Sequence, residues 1–155
     1  MSDASLSYDQ LKLENQLCFP VYAASRLITR EYQPLLDRLG LTYPQYLVLM
    51  VLWEKDGLTV NQIAHTLILN TNTVTPLLKR MEAQGLLRRN RSAGDERKVL
   101  IRLTEKGRSL RDDAASIPEQ LARGLMNGPM DLDQLLMLRD SLHILIRHMQ
   151  ERTLE

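Results

Sequence analysis

Hydrophobic residues recur every three or four positions in two consecutive segments of residues 59–85, which predicts two short helices. Their apolar positions are Val60, Ile63, Ala64 and Leu67, then Val74, Leu77, Leu78 and Met81. Thr59 and Gln62 have the spacing of a capping box that would begin the first helix, and Gly85 is a typical stop for the second. Two helices joined by so short a connection form a helix-turn-helix, whose second helix enters the DNA major groove.

The pattern then changes to a period of two, which is typical of a half-buried strand. Val99, Ile101 and Leu103 alternate with Lys98, Leu100 and Arg102. Residues 86–91 are the expected partner strand, and residues 92–97 form the tip of the hairpin. A helix-turn-helix followed by a basic two-stranded hairpin is a winged helix, so residues 44–104 are predicted to bind DNA.

The residues before the winged helix read as helices. A first helix is expected from about Asp9, with a kink where Pro20 lacks the N–H that a helix interior requires. A second helical stretch is expected to end at Gly40. Pro44 is favoured at a first helical position and predicts the start of a third helix, which ends before Gly57.

The residues after the wing also read as helices. One helix is expected from Thr104 through Ile117, and residues 124–129 interrupt the pattern. The last helix is predicted to be capped by Asp131, with Gln134 three residues later. The fold class is therefore mainly α with a small β-hairpin wing, in a single domain over residues 1–155.

The terminal helices, at about residues 9–39 and 105–152, have broad apolar faces that need a covering surface. They either pack on the winged helix or against a second copy of the chain. A homodimer is the favoured prediction, because it places two recognition helices one turn of DNA apart, about 34–36 Å. The terminal helices are then dimerisation helices.

The charge distribution supports the DNA-binding prediction. The whole chain has a formal net charge of only +1, yet residues 76–108 carry +6. This segment has four acidic residues and ten basic ones: Lys79, Arg80, Arg88, Arg89, Arg91, Arg97, Lys98, Arg102, Lys106 and Arg108. Such asymmetry is typical of a surface that binds phosphate. The alternative, a solvated basic face, explains less well why the charges coincide with the recognition helix and wing.

Composition bounds the class of protein. The 155 residues, 44% hydrophobic and 25% charged, are typical of a globular domain that needs no metal or disulfide. No apolar run approaches the ~20 residues that span a bilayer, and residues 1–5 lack the features of a signal peptide. A single cysteine allows no internal disulfide, so a cytoplasmic location is expected. His65, His143 and His148 lack metal-ligand spacing, and no catalytic motif or cofactor-binding loop is predicted.

The single cysteine is a candidate redox site. Tyr22 follows Cys18 by one helical turn, so both are expected on the same helix face. A phenol that donates a hydrogen bond to a thiolate favours the ionised form, which is the form that peroxides oxidise. The alternative is a buried cysteine that serves only as a small hydrophobic residue.

Taken together, these segments resemble a known family. Residues 95–97 (DER) followed by 99–104 (VLIRLT) are similar to the wing of the MarR-type winged-helix regulators. More narrowly, residues 13–19 (LENQLCF), 43–46 (YPQY) and 77–82 (LLKRME) resemble the organic-hydroperoxide sensors called OhrR. The resemblance extends over most of the chain and weakens after the wing.

The resemblance implies roles for particular residues. Cys18 matches the peroxide-sensing thiol, and Tyr32 and Tyr43 match two tyrosines that hydrogen-bond it across the dimer interface. Tyr22 matches a further tyrosine near the cysteine. Some members carry a second, resolving cysteine near the last helix, but residues 125–130 (LMNGPM) have none. A one-cysteine sensor needs an external low-molecular-weight thiol to form a disulfide.

A repressor of this class binds double-stranded operator DNA in its reduced state. The residues expected to face base edges or phosphates from the recognition helix are Asn70, Thr71, Asn72, Thr73 and Thr75. Lys79 and Arg80 are expected nearer to phosphate. Arg97 is expected to enter the minor groove from the tip of the wing, with Asp95 positioning its guanidinium group.

The sequence leaves two alternatives to a hydroperoxide-sensing repressor. The chain is a thiol peroxidase if Cys18 turns over substrate, although an enzyme has no use for a basic hairpin. It is a repressor that responds to a non-covalent small ligand if Cys18 has no part in sensing.

Overall fold

A computed structural model of the protein describes residues 8–92 and 95–152, with side chains at every described position outside 91–98. The chain forms two compact units, which divide between Ala114 and Ala115. The regular elements in chain order are α1 (Cys18–Asp37), α2 (Tyr43–Glu54), β1 (Leu58–Thr59), α3 (Val60–Thr66), α4 (Thr71–Ala83), β2 (Leu87–Ser92), β3 (Asp95–Leu103), α5 (Glu105–Ala114), α6 (Ile117–Met126) and α7 (Leu132–Arg152). The expected mainly helical fold with a small β wing is confirmed.

The first helix begins later than the sequence predicts. Two 3₁₀ turns, Asp9–Leu11 and Leu13–Asn15, precede it, and the residue after each turn has an extended backbone. The helix starts at Cys18, so Pro20 lies in its first turn, where the missing N–H has no helical partner. The expected kink at Pro20 is therefore wrong. The two expected helical stretches are instead one helix that continues to Asp37.

Local signals fix where the next helices begin and end. The side chain of Gln45 accepts a hydrogen bond from the backbone N–H of Thr42 at 2.9 Å and caps α2. The predicted capping box of α3 is confirmed, because Thr59 and Gln62 exchange bonds of 2.9 and 3.2 Å. Gly85 has a φ of +71° just after α4, the left-handed stop that the sequence predicts.

The wing belongs to a three-stranded antiparallel sheet with the strand order β1-β3-β2. Arg89 of β2 is paired with Ile101 of β3, and Leu58 of β1 is paired with the other edge of β3, also at Ile101. Ile101 and Leu103 are buried and Arg102 is exposed, as the period of two predicts. The sequence analysis missed β1, because a strand of two residues is too short to show a period.

The first unit contains the hydrophobic core. Its fully buried side chains come from α1, α2, α3, α4 and the sheet, and the largest are Leu36, Leu49, Leu52, Ile63, Leu78, Met81, Leu87 and Ile101. The apolar stripes of α3 and α4 both contribute, so these two helices hold their outer, polar faces in a fixed orientation. The helix α5, which follows β3, ends at Ala114. The expected single helix through Ile117 is therefore wrong, since a turn at residues 115–116 separates α5 from α6.

The second unit consists of α6 and α7. Asp131 and Gln134 exchange two hydrogen bonds, of 2.8 and 2.9 Å, which confirms the predicted cap of the last helix. No residue of α7 is buried. Its exposed apolar residues are Leu132, Leu136, Met137, Leu138, Ile144, Leu145, Ile146 and Met149. A helix with this many exposed apolar side chains requires a covering surface.

Candidate functional site

The helix α4 presents a polar N-terminal end to solvent. Its inner face is held by Val74, Leu77, Leu78 and Met81, all of which are buried. The candidate DNA-binding residues lie on the opposite side: Asn70, Thr71, Asn72, Thr73, Lys79 and Arg80 are exposed, and Thr75 is half-buried. The structure therefore brings seven of the nine predicted DNA-binding residues onto one accessible surface.

The other two candidates belong to the wing. Asp95 and Arg97 lie on β3, where Asp95 pairs with Ser92 of β2 and a register shift separates this pair from Arg91 and Val99. Their side chains lie outside the described part of the structure, so the predicted orientation of the Arg97 guanidinium group stays a prediction.

An ion pair joins the recognition helix to the wing. The side chain of Glu82, near the end of α4, accepts hydrogen bonds from the backbone N–H of Arg89 at 2.9 Å and from its Nε at 2.7 Å. These bonds hold the pKa of the Glu82 carboxyl below its ordinary value of 4.5. A helix and a strand joined in this way move as one element.

A second carboxylate anchors the base of the wing. Asp56 Oδ1 accepts hydrogen bonds from the backbone N–H groups of Gly57 at 2.8 Å and Leu103 at 3.0 Å. Its Oδ2 accepts from Arg108 of α5 at 3.1 Å. Asp56 therefore links the end of β3 to α5. The sequence analysis did not identify it, because its partners lie about fifty residues away.

The candidate sensing thiol lies at the start of α1. Cys18 is exposed and is the only cysteine of the chain. Tyr22 lies one turn later on α1, and its hydroxyl accepts a hydrogen bond of 2.9 Å from Arg26. That guanidinium group also lies 5.5 Å from the centre of the Tyr22 ring. Because the accepted bond leaves the phenolic hydrogen free, Tyr22 keeps its capacity to donate to a neighbouring thiolate.

The other two candidate tyrosines form a cluster with a third. The Tyr32 and Tyr43 rings are 4.9 Å apart, and the Tyr46 ring lies 5.9 Å from Tyr32. Burial, together with the neighbouring Tyr43 and Tyr46, raises the pKa of Tyr32 to about 12. Burial also raises the pKa values of Tyr43 and Tyr46. All three phenols therefore stay protonated at neutral pH and act as hydrogen-bond donors.

The thiol and the phenol cluster of one chain are far apart. Cys18 and Tyr32 are separated by fourteen residues of the same helix, so a rise of 1.5 Å per residue places their backbones about 21 Å apart. The Tyr43 ring contacts the Tyr32 ring at a tilt of 47° and is therefore also remote from Cys18. The structure therefore brings Tyr32 and Tyr43 together but does not bring either to the Cys18 of the same chain.

Two residues of this region were not predicted. Tyr46 follows Tyr43 by three positions, which places both on the same face of α2 and is the signal that was available. Gln45 is the one buried polar residue among the described side chains, 4% exposed. Its polarity predicts a surface position, and only the structure shows its partners.

The described residues include no cluster of histidine, cysteine or carboxylate side chains that could hold a metal ion. In the same ranges, no helix is both long and apolar enough to cross a membrane.

Comparisons with known proteins agree with this geometry. A family profile for the SarA/Rot transcriptional regulators matches residues 30–114. The chain is 48% identical over 145 residues to the organic hydroperoxide resistance transcriptional regulator of Bacillus subtilis (strain 168), covering 94% of this chain and 97% of that protein.

Two solved structures of AbfR, a protein of Staphylococcus epidermidis, share the fold at 35% identity. The reduced form bound to DNA has a TM-score of 0.73 and covers 91% of this chain and 96% of AbfR. The disulfide form has a TM-score of 0.63 and covers 92% and 95%. The fold described above is therefore more similar to the DNA-bound form of AbfR than to its disulfide form.

Proposed function

This chain belongs to the MarR/SarA family of winged-helix transcriptional regulators, and we propose that it represses transcription until an organic hydroperoxide oxidises Cys18. As a member of this family it is a DNA-binding regulator and not an enzyme, which sets aside the thiol peroxidase alternative. The name of the Bacillus subtilis relative supports organic hydroperoxides as the signal.

The proposed DNA interface combines α4 with the wing. Short polar side chains at the start of α4 face base edges and phosphates, and these are Asn70, Thr71, Asn72, Thr73 and Thr75. Lys79 and Arg80 bind phosphate from farther along the helix. Arg97 enters the minor groove, with Asp95 holding its guanidinium group. The net charge of +6 over residues 76–108 supports this arrangement.

The active form is proposed to be a homodimer whose terminal helices, at about residues 9–39 and 105–152, form the interface. The N-terminal segment exposes apolar side chains before and along the first turns of α1, namely Leu11, Leu13, Leu17, Phe19 and Val21. The helix α7 exposes eight more. The winged helix, about residues 44–104, then lies outside this interface and is free to bind the operator.

The distance along α1 gives a second argument for the homodimer. Cys18 lies about 21 Å from Tyr32 of its own chain, which is far beyond hydrogen-bond reach. The phenols that hold the thiolate must therefore come from the other chain. One dimer then contains two composite sites, each with a Cys18 from one protomer and the Tyr32 and Tyr43 of its partner. Tyr22 completes each site from the same chain as Cys18.

The proposed sensing step is oxidation of a thiolate. The sulfur of Cys18 attacks one oxygen of the hydroperoxide, the O–O bond breaks, and the products are a sulfenate on Cys18 and an alcohol. A low-molecular-weight thiol then attacks the protonated sulfenic acid, forming a mixed disulfide and releasing water. We place this chemistry in the cytoplasm, where DNA and small thiols are both available.

Oxidation adds a polar oxygen, or a whole thiol adduct, to a site packed between two subunits. The phenols lose the thiolate that accepted their hydrogen bonds, and the dimer no longer keeps its two recognition helices at operator spacing. The single observation that carries this proposal is the pair of contacting phenols, Tyr32 and Tyr43, which have raised pKa values and lie far from their own Cys18.

The test compares wild type with Cys18→Ser in an operator gel shift during titration with an organic hydroperoxide. Serine keeps the size and hydrogen bonding of the thiol but forms no sulfenate, so the variant is expected to stay bound while wild type is released. Tyr32→Phe and Tyr43→Phe are expected to bind operator with a blunted response. Release of Cys18→Ser by hydroperoxide would overturn the proposal in favour of a non-covalent ligand.

A further inference from the structure

We infer that two hydrogen bonds donated by α2, from Gln45 to Gln84 and from Trp53 to Gly107, transmit the state of the phenol cluster to the junction between the recognition helix and the wing. This inference rests on the proposed function, and it assigns to Gln45 and Trp53 the role of positioning residues. Neither residue touches the thiol, and neither lies in the proposed DNA interface.

The helix α2 carries part of the phenol cluster. Tyr43 and Tyr46 belong to this helix, and both contact Tyr32 of α1. Tyr46 also contacts Trp53 farther along α2, with ring centres 6.2 Å apart in an edge-to-face arrangement. A shift of Tyr32 or Tyr43 when Cys18 is oxidised therefore acts directly on α2.

The first link starts between the two tyrosines. Gln45 Oε1 accepts from the backbone N–H of Thr42, and Gln45 Nε2 donates to Gln84 Oε1 at 2.8 Å. Because a backbone N–H only donates, it fixes the oxygen of the Gln45 amide on its own side. The amide nitrogen must therefore face Gln84. Gln84 is the C-cap of α4, so this bond joins α2 to the end of the recognition helix.

The second link starts at the other end of α2. Trp53 Nε1 donates a hydrogen bond of 2.8 Å to the backbone carbonyl of Gly107 in α5. A Cβ atom on Gly107 would lie 2.0 Å from the carbonyl oxygen of Leu86, so α5 crosses directly over that residue. Leu86 immediately precedes β2 of the wing.

Further bonds bind the start of α5 to this junction. Thr104 donates its hydroxyl to the Gly85 carbonyl at 2.6 Å and its backbone N–H to the Leu86 carbonyl at 3.2 Å. Lys106 Nζ donates to the Gln84 carbonyl at 3.0 Å. The first link therefore ends on Gln84, and the second ends on Gly107, which packs directly on Leu86. Both reach the short segment, residues 84–86, that connects α4 to β2.

The geometry explains why two links are used. A single contact at one end of α2 would let the helix pivot, whereas bonds from Gln45 and Trp53 lie near its two ends and hold its position along its length. A displacement of α2 then moves α4 and the wing together. The Gln45 amide is buried, and separating it from Gln84 would leave its Nε2 without this acceptor, which favours movement as a unit.

The experiment uses the full-length dimer and three variants. Gln84→Ala removes the acceptor of Gln45 but leaves the cap of α2 intact, and Gln84→Glu restores an oxygen acceptor at the same position. Trp53→Phe keeps an aromatic ring beside Tyr46 and removes the N–H together with part of the indole ring. Thermal unfolding verifies that each variant is folded at the assay temperature.

Three quantities are measured for each protein. They are the affinity of the reduced form for operator, the rate of sulfenate formation on Cys18 by mass spectrometry after trapping, and the fold-loss of operator affinity on oxidation. We expect the first two to stay within about twofold of wild type in Gln84→Ala and Trp53→Phe, and the fold-loss to be about tenfold smaller. Gln84→Glu is expected to restore the fold-loss.

The outcomes separate this inference from the proposed function. If wild type loses affinity on oxidation and Gln84→Ala and Trp53→Phe lose it equally, the links do not transmit and only the proposed function stands. If Gln84→Glu behaves like Gln84→Ala, the hydrogen bond is not the link and the inference is overturned. If wild type keeps its affinity on oxidation, the proposed function fails and the inference fails with it.

Discussion

At the scale of single residues, burial and neighbouring side chains determine which phenols stay protonated. The pKa of Tyr32 is about 12 because burial and the neighbouring Tyr43 and Tyr46 oppose ionisation. A phenol with this pKa donates a hydrogen bond throughout the physiological range and does not compete with a thiol for ionisation. A cluster of such donors favours the thiolate when a cysteine is brought to it. In the proposed composite site, these partly buried phenols therefore favour the ionised form of Cys18.

Gly107 lies where an added Cβ atom should disrupt the packing of α5 against residues 84–86. A Cβ would lie 2.0 Å from the Leu86 carbonyl oxygen and 3.1 Å from Leu103 Cδ2, and the Leu86 backbone cannot give way as a flexible side chain can. We expect Gly107→Ala to lower the free energy of unfolding by about 3 kcal/mol, the upper end of overpacking costs. Denaturant unfolding measures this value.

The matched control is Gly124→Ala in α6. A Cβ there meets nothing within 4 Å, so the higher helix propensity of alanine should raise the free energy of unfolding by about 0.5–1 kcal/mol. Equal effects of the two substitutions would show that the close approach of α5 to Leu86 is not maintained in solution.

At the residue scale, the residue types of the candidate sensing site were easier to predict from the sequence than the contacts between them. Cys18, Tyr32 and Tyr43 were selected from their resemblance to known sensors, and their roles stay predictions. The structure adds that Tyr32 and Tyr43 are neighbours. Gln45 could not be selected, because a glutamine inside the pattern of α2 gives no sign of a partner 39 positions away.

At the scale of elements, side-chain hydrogen bonds join the recognition helix, the wing and the start of α5. The carboxylate of Glu82 holds Arg89 by two hydrogen bonds, and that of Asp56 holds the end of β3 and the start of α5. We therefore expect the proposed DNA contacts of α4 and of the wing to be gained or lost together, so that a small displacement of α2 weakens both.

The wing is expected to contribute specific affinity through Arg97. We expect Arg97→Ala to weaken operator binding by about 1–3 kcal/mol, the range for good specific contacts, without changing the dimer. Fluorescence anisotropy at physiological salt, with sedimentation as the control for assembly, measures the effect. Unchanged affinity would show that the tip of the wing does not enter the groove.

The Glu82–Arg89 pair should make stability depend on pH. The folded-state pKa of Glu82 is depressed, so its contribution is present above the unfolded value of about 4.5 and is lost as the pH falls through the folded value. We expect wild type to be more stable than Glu82→Gln at pH 7, with the difference shrinking below pH 4.5. The difference should be small and salt-sensitive, since both side chains are partly exposed.

Glu105→Gln is the control for this series. Glu105 is 93% exposed and lies 4.0 Å from Arg108, so its removal should leave stability unchanged across the same pH range. A Glu82→Gln difference that persists unchanged at pH 3 would assign the effect to packing instead of charge.

Elements with capping residues and a clear period were predictable from the sequence, and others were not. Thr59 with Gln62, Asp131 with Gln134, and Gly85 each fix one helix end by a local interaction. The start of α1 was missed because residues 9–15 have helical spacing but form 3₁₀ turns separated by extended residues. The break between α5 and α6 has a local signal that the sequence analysis did not use, because Pro118 is disfavoured inside a continuous helix and favoured in the first turn of a new one.

At the scale of the whole molecule, two observations support the same proposed homodimer. One is the set of exposed apolar residues of α1 and α7, and the other is the distance between Cys18 and Tyr32. Exposed apolar surface favours a partner, and if the phenols hold the thiolate, the helix rise places them on a second copy. In the proposed function, dimerisation therefore serves sensing as well as DNA spacing. Length and pattern alone could predict the first requirement, but the second needs the continuous helix that the structure shows.

Mixing two inactive chains tests this arrangement. Cys18→Ser lacks the thiol and a Tyr32→Phe, Tyr43→Phe double variant lacks the phenols, so neither homodimer should respond normally. A heterodimer contains one intact composite site, with Cys18 from the double variant and both phenols from the other chain. We expect mixing to restore a hydroperoxide response in a gel shift. No restoration in verified heterodimers would place the phenols and the thiol of one site in the same chain.

In the proposed mechanism, modification of Cys18 is itself the event that releases DNA. The direct measurement follows operator occupancy by anisotropy and the mass of the intact protein in the same samples, during oxidation by an organic hydroperoxide with a small thiol present. We predict that occupancy falls in proportion to the fraction of chains with a thiol adduct on Cys18, and that a reductant restores both together. Two results would contradict the proposed mechanism. One is release from DNA while Cys18 remains unmodified, and the other is full occupancy when every Cys18 carries the adduct.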